Sequence, residues 1–428
     1  MSTGDMGAAA PASRTGILER GAGYMDGLRA LPKHLTLKSV SAGTVAAIFG
    51  CTGPALIIIG AAEAGGLTSA QTVSWLFAVY FLGGLISLVM APYYMQPVVG
   101  AYSIPGAAML LGALKSFDFS HAVGAFIMAG VLVLLLGVSG LIGRVMRWLP
   151  MPIIMAMIAG ALIRFATSTV TAAEAAPLLV GATIVAFFVT MRLSKSFPPV
   201  LAALIVGIAV AAATGAFQPV DGPVAFVLPT LTTPSFSLDA FLAVSVPLAI
   251  LVIGAENAQA TGVLLAEGYR PPVNAMTVVS GIGGILAGVL GGHNANIAGP
   301  MTAICSSEQA GEDRRGRYAA AVVNGVLFGS FGIFAGIAVP FVLALPKALI
   351  ATVAGLAMIG VLVASFQQAF TRSQGHQIGA FVALAVAMSD IRLLSISAPF
   401  WALVLGVAVS LLVERHAGRT APGPTGDR

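Results

Sequence analysis

The chain has 428 residues, 58% of them hydrophobic and 9% charged, with a mean hydropathy of +0.96. Ordinary soluble domains carry about 25% charged residues, so a soluble globular protein is excluded. The 21 Lys+Arg against 16 Asp+Glu leave a net charge of +5, and nothing in the chain supports nucleic-acid binding. Both cysteines, Cys51 and Cys305, lie in apolar stretches, which excludes a disulfide framework and a Cys-rich metal site.

Residues 1–38 are polar, carry Arg14, Arg20, Arg29, Lys33 and Lys38 and contain no apolar run, so they read as a cytoplasmic tail. A signal-peptide core at 45–60 is disfavoured by so long a charged leader. Apolar stretches between breakers then follow at 40–61, 69–90, 97–114, 120–142, 150–166, 175–191, 197–215, 238–257, 272–290, 291–307, 316–338, 347–365, 376–389 and 397–413. The expected architecture is therefore an all-α polytopic membrane protein with fourteen transmembrane segments. If the N-terminus is cytoplasmic, all the Lys and Arg residues except Lys115, Arg164, Lys347 and Arg392 fall on the cytoplasmic side. The positive-inside rule thus supports an even count with both termini inside; thirteen spans would reverse every later loop.

Within segment 1, Gly50-Cys51-Thr52-Gly53-Pro54 loosens the helix and offers backbone or the Thr52 hydroxyl, unless it is a simple proline kink. Segment 3 opens poorly for a helix, with Pro97-Val98-Val99-Gly100-Ala101-Tyr102-Ser103-Ile104-Pro105-Gly106. Pro105 disfavours helix at Ile104 and suits the first turn of one starting there, so a short strand followed by a half-helix is expected. Tyr102 and Ser103 just before it are candidates to stack on and hydrogen-bond a planar ligand. Segment 10 repeats the design, with His293-Asn294-Ala295-Asn296-Ile297-Ala298-Gly299-Pro300 leading into Met301-Thr302. Under the charge-based topology the two segments run in opposite directions, so their helix N-termini face each other at mid-membrane. Each end carries about half a positive charge, and the gap suits a carboxylate or another electron-rich planar group. Opposed interrupted segments point to a secondary transporter built as a 7+7 inverted repeat.

Segment 8 contributes Glu256 and Asn257. An ionisable residue inside a span is a functional candidate by default, and a carboxyl out of water favours its neutral form, which makes Glu256 a candidate proton carrier. Its alternative is a solvated place at the cytoplasmic helix end. His293 is the second candidate carrier. No His-Glu-x-x-His, Walker loop or Gly-x-Ser-x-Gly elbow occurs, so neither an enzyme nor an ATP-driven pump is expected, and no cofactor or metal.

The segment around Glu256-Asn257, Gly262-Val263-Leu264, Gly268-Tyr269-Arg270-Pro271-Pro272, Gly291-Gly292-His293, Asn296 and Thr302-Ala303-Ile304-Cys305 resembles the benzoate:proton symporter family, which is related to nucleobase and sulfate-type transporters. The acid at Glu256 itself resembles the nucleobase branch, in which a carboxylate of the eighth helix grips ring N–H groups. The resemblance implies a core domain (39–143 and 238–338) moving past a gate domain (144–215 and 339–414), the latter mediating a homodimer. An external loop (216–237) and a C-terminal cytoplasmic tail (415–428) complete the chain. It also implies elevator-type, proton-coupled import of a small aromatic carboxylate such as benzoate across a bacterial inner membrane. The substrate carboxylate is expected between the Pro105 and Pro300 helix ends, and its ring against Tyr102 and segment-1 residues. Nucleobase:proton symport and an uncoupled anion channel or exchanger are the alternatives.

Overall fold

The computed structural model describes residues 18–51, 53–194, 197, 199–219, 226, 228–337, 344–370, 375–389, 391–393 and 396–414. Its first half comprises α1 (Tyr24–His34), α2 (Leu37–Cys51), α3 (Gly53–Ala64), α4 (Ser69–Tyr94), β1 (Gly100–Ala101), α5 (Ile104–Ala113) and α6 (Phe119–Val138). The connecting helix α7 (Leu141–Trp148) leads to α8 (Met151–Ala175), α9 (Pro177–Leu193) and α10 (Pro199–Thr214). After the long connection come α11 (Leu238–Ala266), α12 (Val273–Val289), β2 (Asn296–Ile297), α13 (Gly299–Ser306), α14 (Tyr318–Ile333) and α15 (Lys347–Ala369). The chain closes with α16 (Gln377–Met388), the small hairpin β3 (Arg392–Leu393) and β4 (Ile396–Ser397), and α17 (Ala398–Val413). Four of these helices, α4, α6, α8 and α11, are long and apolar enough to cross a membrane by length and composition; shorter apolar helices accompany them.

Local sequence explains the starts. Thr68 opens α4 with a reciprocal cap: its hydroxyl accepts from the Gln71 N–H while the Gln71 side chain accepts from the Thr68 N–H. Ser103 caps α5 by accepting from Gly106 N–H at 3.1 Å, with Pro105 in the first turn. Pro300 holds the same early position in α13.

Helices approach closely where small residues meet, as is usual for helix pairs whose driving force is packing. Gly84 on α4 faces Gly325 and Gly329 on α14, and Gly130 on α6 faces Gly284 on α12. A Cβ at Gly325 would stand 2.8 Å from the Ser87 Cβ and 2.9 Å from the Gly84 carbonyl oxygen. Gly325→Ala is therefore expected to cost about 1–3 kcal/mol by overpacking, measured as a lower thermal midpoint in detergent.

One expected boundary needs correction, and the N-terminal tail contains a helix that packs on the bundle. Its helix α1 packs on α4, the Glu19 carboxylate accepts from the N–H groups of Asn274 and Ala275 at 3.0 Å each, and Tyr94 donates to the Glu19 carbonyl. Glu19 thus caps α12, supplying the negative charge a helix N-terminus favours. The helix expected at 238–257 runs on to Ala266, because Gln259 and Thr261, although polar, are buried against neighbouring helices.

Candidate functional site

β1 and β2 pair antiparallel, Gly100 opposite Ile297 and Ala101 opposite Asn296. Extended backbone among apolar helices must find partners, and several are supplied here. Ala298 N–H donates to the Val99 carbonyl at 2.9 Å, and Val99 N–H donates to the Thr302 hydroxyl. The outward amides are met by two serines: Gly100 N–H donates to Ser87 Oγ on α4 at 2.8 Å, and Ile297 N–H to Ser280 Oγ on α12 at 3.1 Å. Ser280 in turn donates to Asn257 Oδ1. The two strands lead directly into α5 and α13, so both short helices begin beside the same two-stranded unit.

Glu256 joins them. Its helix α11 contains two π-helical turns, Phe241–Ser245 and Val252–Asn257, the second of which carries Glu256; such turns rotate side chains off the ordinary helical face and recur at functional sites. The Glu256 carboxylate, 3% exposed, accepts from Ile104 N–H through Oε1 at 3.3 Å and from Gly299 N–H through Oε2 at 3.2 Å. These are the first residues of α5 and α13. The gap between the two helix starts, where a substrate carboxylate was expected, is thus bridged by the protein's own carboxylate. Nor does Glu256 sit at a solvated helix end: ten residues of α11 follow it.

His293 is fully buried and both its nitrogens are engaged. The Trp75 indole N–H donates to Nδ1 at 2.9 Å, and Nε2 lies 3.0 Å from the Ser103 carbonyl. An indole nitrogen only donates and a carbonyl only accepts, so the ring is the neutral tautomer protonated on Nε2. Asn294 Oδ1 accepts from Ser103 N–H at 3.0 Å. His293 and Asn294 therefore tie the second interrupted segment to the N-cap of α5.

Tyr102 points into the aromatic core. Its hydroxyl lies 2.8 Å from that of Tyr80, which donates to the Gly50 carbonyl, and its ring packs with Tyr80, His293 and Phe328. Cys51 is buried at the end of α2. Met301 lies against Gly50, and Gly106 packs between Ser103 and Leu248. Pro300 is buried and Pro105 half-buried. Thr52 lies outside the described residues. Asn296 donates to the Ile297 carbonyl at 3.1 Å.

Several residues that the sequence reading passed over belong to this assembly. Trp75, Tyr80, Ser87 and Ser280 are the partners just described. Gln259, one turn after Glu256, packs so closely on Gly299 that a Cβ there would run into it. Arg164 lies near the middle of the 25-residue α8, with its guanidinium 5.4 Å from the Phe165 ring centroid and close enough to Glu256 to act on it electrostatically. Phe165 in turn meets Phe49 of α2 edge-on at 5.1 Å. A mid-span arginine was a readable signal, hidden because the segment drawn to residue 166 made it terminal.

The comparisons give this geometry its context. The family profile described as benzoate membrane transport protein matches residues 33–412. The chain belongs to this family. Inner membrane protein YdcO of Escherichia coli strain K12 is 32% identical over 379 residues, 88% of this chain and 96% of that one. A benzoate membrane transport protein of Acinetobacter baylyi is 26% identical over 380 residues, 89% of this chain and 96% of that one. Among solved structures, the murine anion transporter Slc26a9 in its inward-facing state superposes with a TM-score of 0.53 at 14% identity, covering 96% of this chain and 73% of its own. That likeness is one of fold. The protein is thus a membrane transporter of the benzoate transport family with an SLC26-like helical architecture, and its family is one of transporters rather than enzymes.

Proposed function

We propose that this protein imports a small aromatic carboxylate such as benzoate together with a proton, with a core domain of α2–α6 and α11–α14 carrying the substrate past a gate of α8–α10 and α15–α17. The observation that carries this reading is the anion seat formed by the first N–H groups of α5 and α13, with the titratable Glu256 on it. Two opposed helix starts favour a carboxylate, and an acid at the same place links the anion to a proton. Membership in the benzoate transport family and the name of the Acinetobacter relative favour benzoate within that class.

The same reading includes fourteen crossings in a 7+7 inverted repeat, both termini cytoplasmic, a gate-mediated homodimer and the bacterial inner membrane. Packing supports the repeat, because contacts recur on a shift of seven segments. The pair α4 with α14 corresponds to α12 with α6, α9 with α10 to α16 with α17, and α2 with α15 to α11 with α8. Ser87 and Ser280 correspond in the same way, each holding a strand amide. The relative named an inner membrane protein supports the location.

Glu256 is the proton carrier in this reading. His293 holds two partners that an imidazolium could not both keep, so its part is to position the segment. Tyr102 and Cys51 back the site from the aromatic core, while Arg164, Phe165 and Phe49 offer a positive charge and ring contacts at the boundary of core and gate. The test is uptake of labelled benzoate into proteoliposomes under an imposed inward proton gradient, with excess uracil in a parallel sample. Uptake that collapses with the gradient and ignores uracil is expected. Uracil competition would move the reading to nucleobases, and uptake indifferent to a proton ionophore would move it to an uncoupled anion pathway.

A further inference from the structure

The carboxylate of Glu256 accepts one N–H from each short helix, Ile104 of α5 and Gly299 of α13, and it is 3% exposed. A second carboxylate brought to the same two amides would face it at contact distance, and two like charges in one buried place cannot both persist. Side-by-side binding of a charged Glu256 and a substrate anion is thus opposed by electrostatics.

A second observation points to an occupant other than Glu256. Beside the start of α5 lies a buried side-chain amide whose NH2 group finds no hydrogen-bond partner among the described residues, that of Asn294. Asn294 is held there by Ser103 N–H, at the N-cap of α5. It is 3% exposed. Buried polar groups are rarely left unpaired without a reason. This orphan is a donor, so what would satisfy it is an acceptor. A carboxylate, with about four acceptor positions on two oxygens, could accept from the two amides and the Asn294 side chain together.

We infer that Glu256 is a tethered stand-in for the substrate's carboxylate: the two occupy the same pair of helix-end amides in turn, and a proton decides between them. This rests on the aromatic-carboxylate reading above. Protonation of Glu256 removes its charge and its claim on the amides, the substrate anion takes its place, and Asn294 gains a partner. Loss of the proton on the other side returns the Glu256 carboxylate to the amides and expels the substrate. One proton accompanies one anion. The unloaded carrier goes back with Glu256 charged and seated, so it moves no proton without substrate. Among the described residues, the charged or titratable groups that act on Glu256 are Arg164 of α8 and the Tyr102 hydroxyl. The other elements packed on its turn, β2, α12, α13 and α17, carry no carboxyl, amine, guanidinium or imidazole.

The experiment is benzoate binding to the purified full-length protein in detergent by isothermal titration calorimetry, from pH 5.5 to 8, for the parent and for Glu256→Gln. Each measurement is repeated in buffers of different ionisation enthalpy to count the protons taken up, with uracil as a parallel ligand. For the parent, affinity is expected to fall up to tenfold per pH unit as pH rises, with one proton bound per benzoate on that limb. Glu256→Gln is expected to bind at every pH at least as well as the parent does at its lowest, with no proton uptake. Parent binding of benzoate without proton uptake overturns the exchange and leaves the substrate reading standing; that arm needs no variant. A folded Glu256→Gln that no longer binds benzoate overturns it too, making the acid a direct ligand. Parent protein that binds uracil and not benzoate overturns the carboxylate reading itself.

Discussion

Replacing Arg317 by alanine is expected to destabilise the protein by about 3 kcal/mol or more, because the change strands a partner in a largely buried ion pair. Its side chain is 6% exposed and that of Glu267 21%, with Nη1 2.7 Å from Glu267 Oε2. The same guanidinium donates to the carbonyls of Ser306 at 2.6 Å and Gly311 at 2.7 Å. It therefore joins the end of α11 to the end of α13, and it caps the last carbonyl of a helix only eight residues long. Lysine at 317 keeps the charge but not the fork, so recovery should be partial. Burial holds the Glu267 carboxyl above the ordinary carboxylate range, and Arg317 opposes that shift. With the arginine gone the upward shift grows. An acid whose folded-state affinity for its proton is raised stabilises least once pH exceeds that raised value, so the loss in Arg317→Ala should be larger at pH 8 than at pH 5. Thermal unfolding in detergent at the two pH values checks this. A loss equal at both would mean that the Glu267 carboxylate is not the group left stranded.

The second large effect is expected at His293. Its replacement by alanine leaves the Trp75 indole N–H unpaired inside the core, takes one of two donors from the Ser103 carbonyl, which keeps the Ala107 N–H, and opens a cavity among Trp75, Tyr102 and Phe126. The buried orphan costs about 1–3 kcal/mol before the cavity is counted. Glutamine offers an acceptor and a donor at similar reach, so His293→Gln should recover much of the loss. The functional readout separates positioning from proton carriage. If Glu256 carries the proton, His293→Gln that folds should still accumulate substrate in response to an imposed pH gradient. A folded His293→Gln whose uptake ignores that gradient would transfer the proton to the imidazole.

How much of this was readable beforehand follows from what each signal measures. Pro105 and Pro300 act on their own backbone, so the two strand-and-short-helix segments were legible from local chemistry alone. The end of α11 was not, because Gln259 and Thr261 lower local hydropathy while being buried against other helices, a fact of tertiary packing. For the same reason a helix-end place stood as the alternative for Glu256. The π-helical turn that carries it has no composition of its own, and nothing in spacing says that its carboxylate reaches two amides 152 and 43 positions away. The contact of Tyr102, a candidate to stack on a planar ligand, with Tyr80 was not legible, since it depends on how α4 crosses the strand pair. Arg164 was legible as chemistry but misplaced by nine residues of helix.

The strand pair has a consequence for the order of biosynthesis. Gly100 waits for Ile297 and Ala101 for Asn296, partners that leave the ribosome nearly two hundred residues later. At about 5–20 residues per second the delay is roughly 10–40 s. Through that interval the first extended segment has Ser87 for one amide but nothing for its inward edge, in surroundings where unpaired backbone is costly. Nascent chains stopped before residue 296 should accordingly remain beside the insertion machinery or a water-filled vestibule, and integrate fully only when the second half arrives to close the ladder.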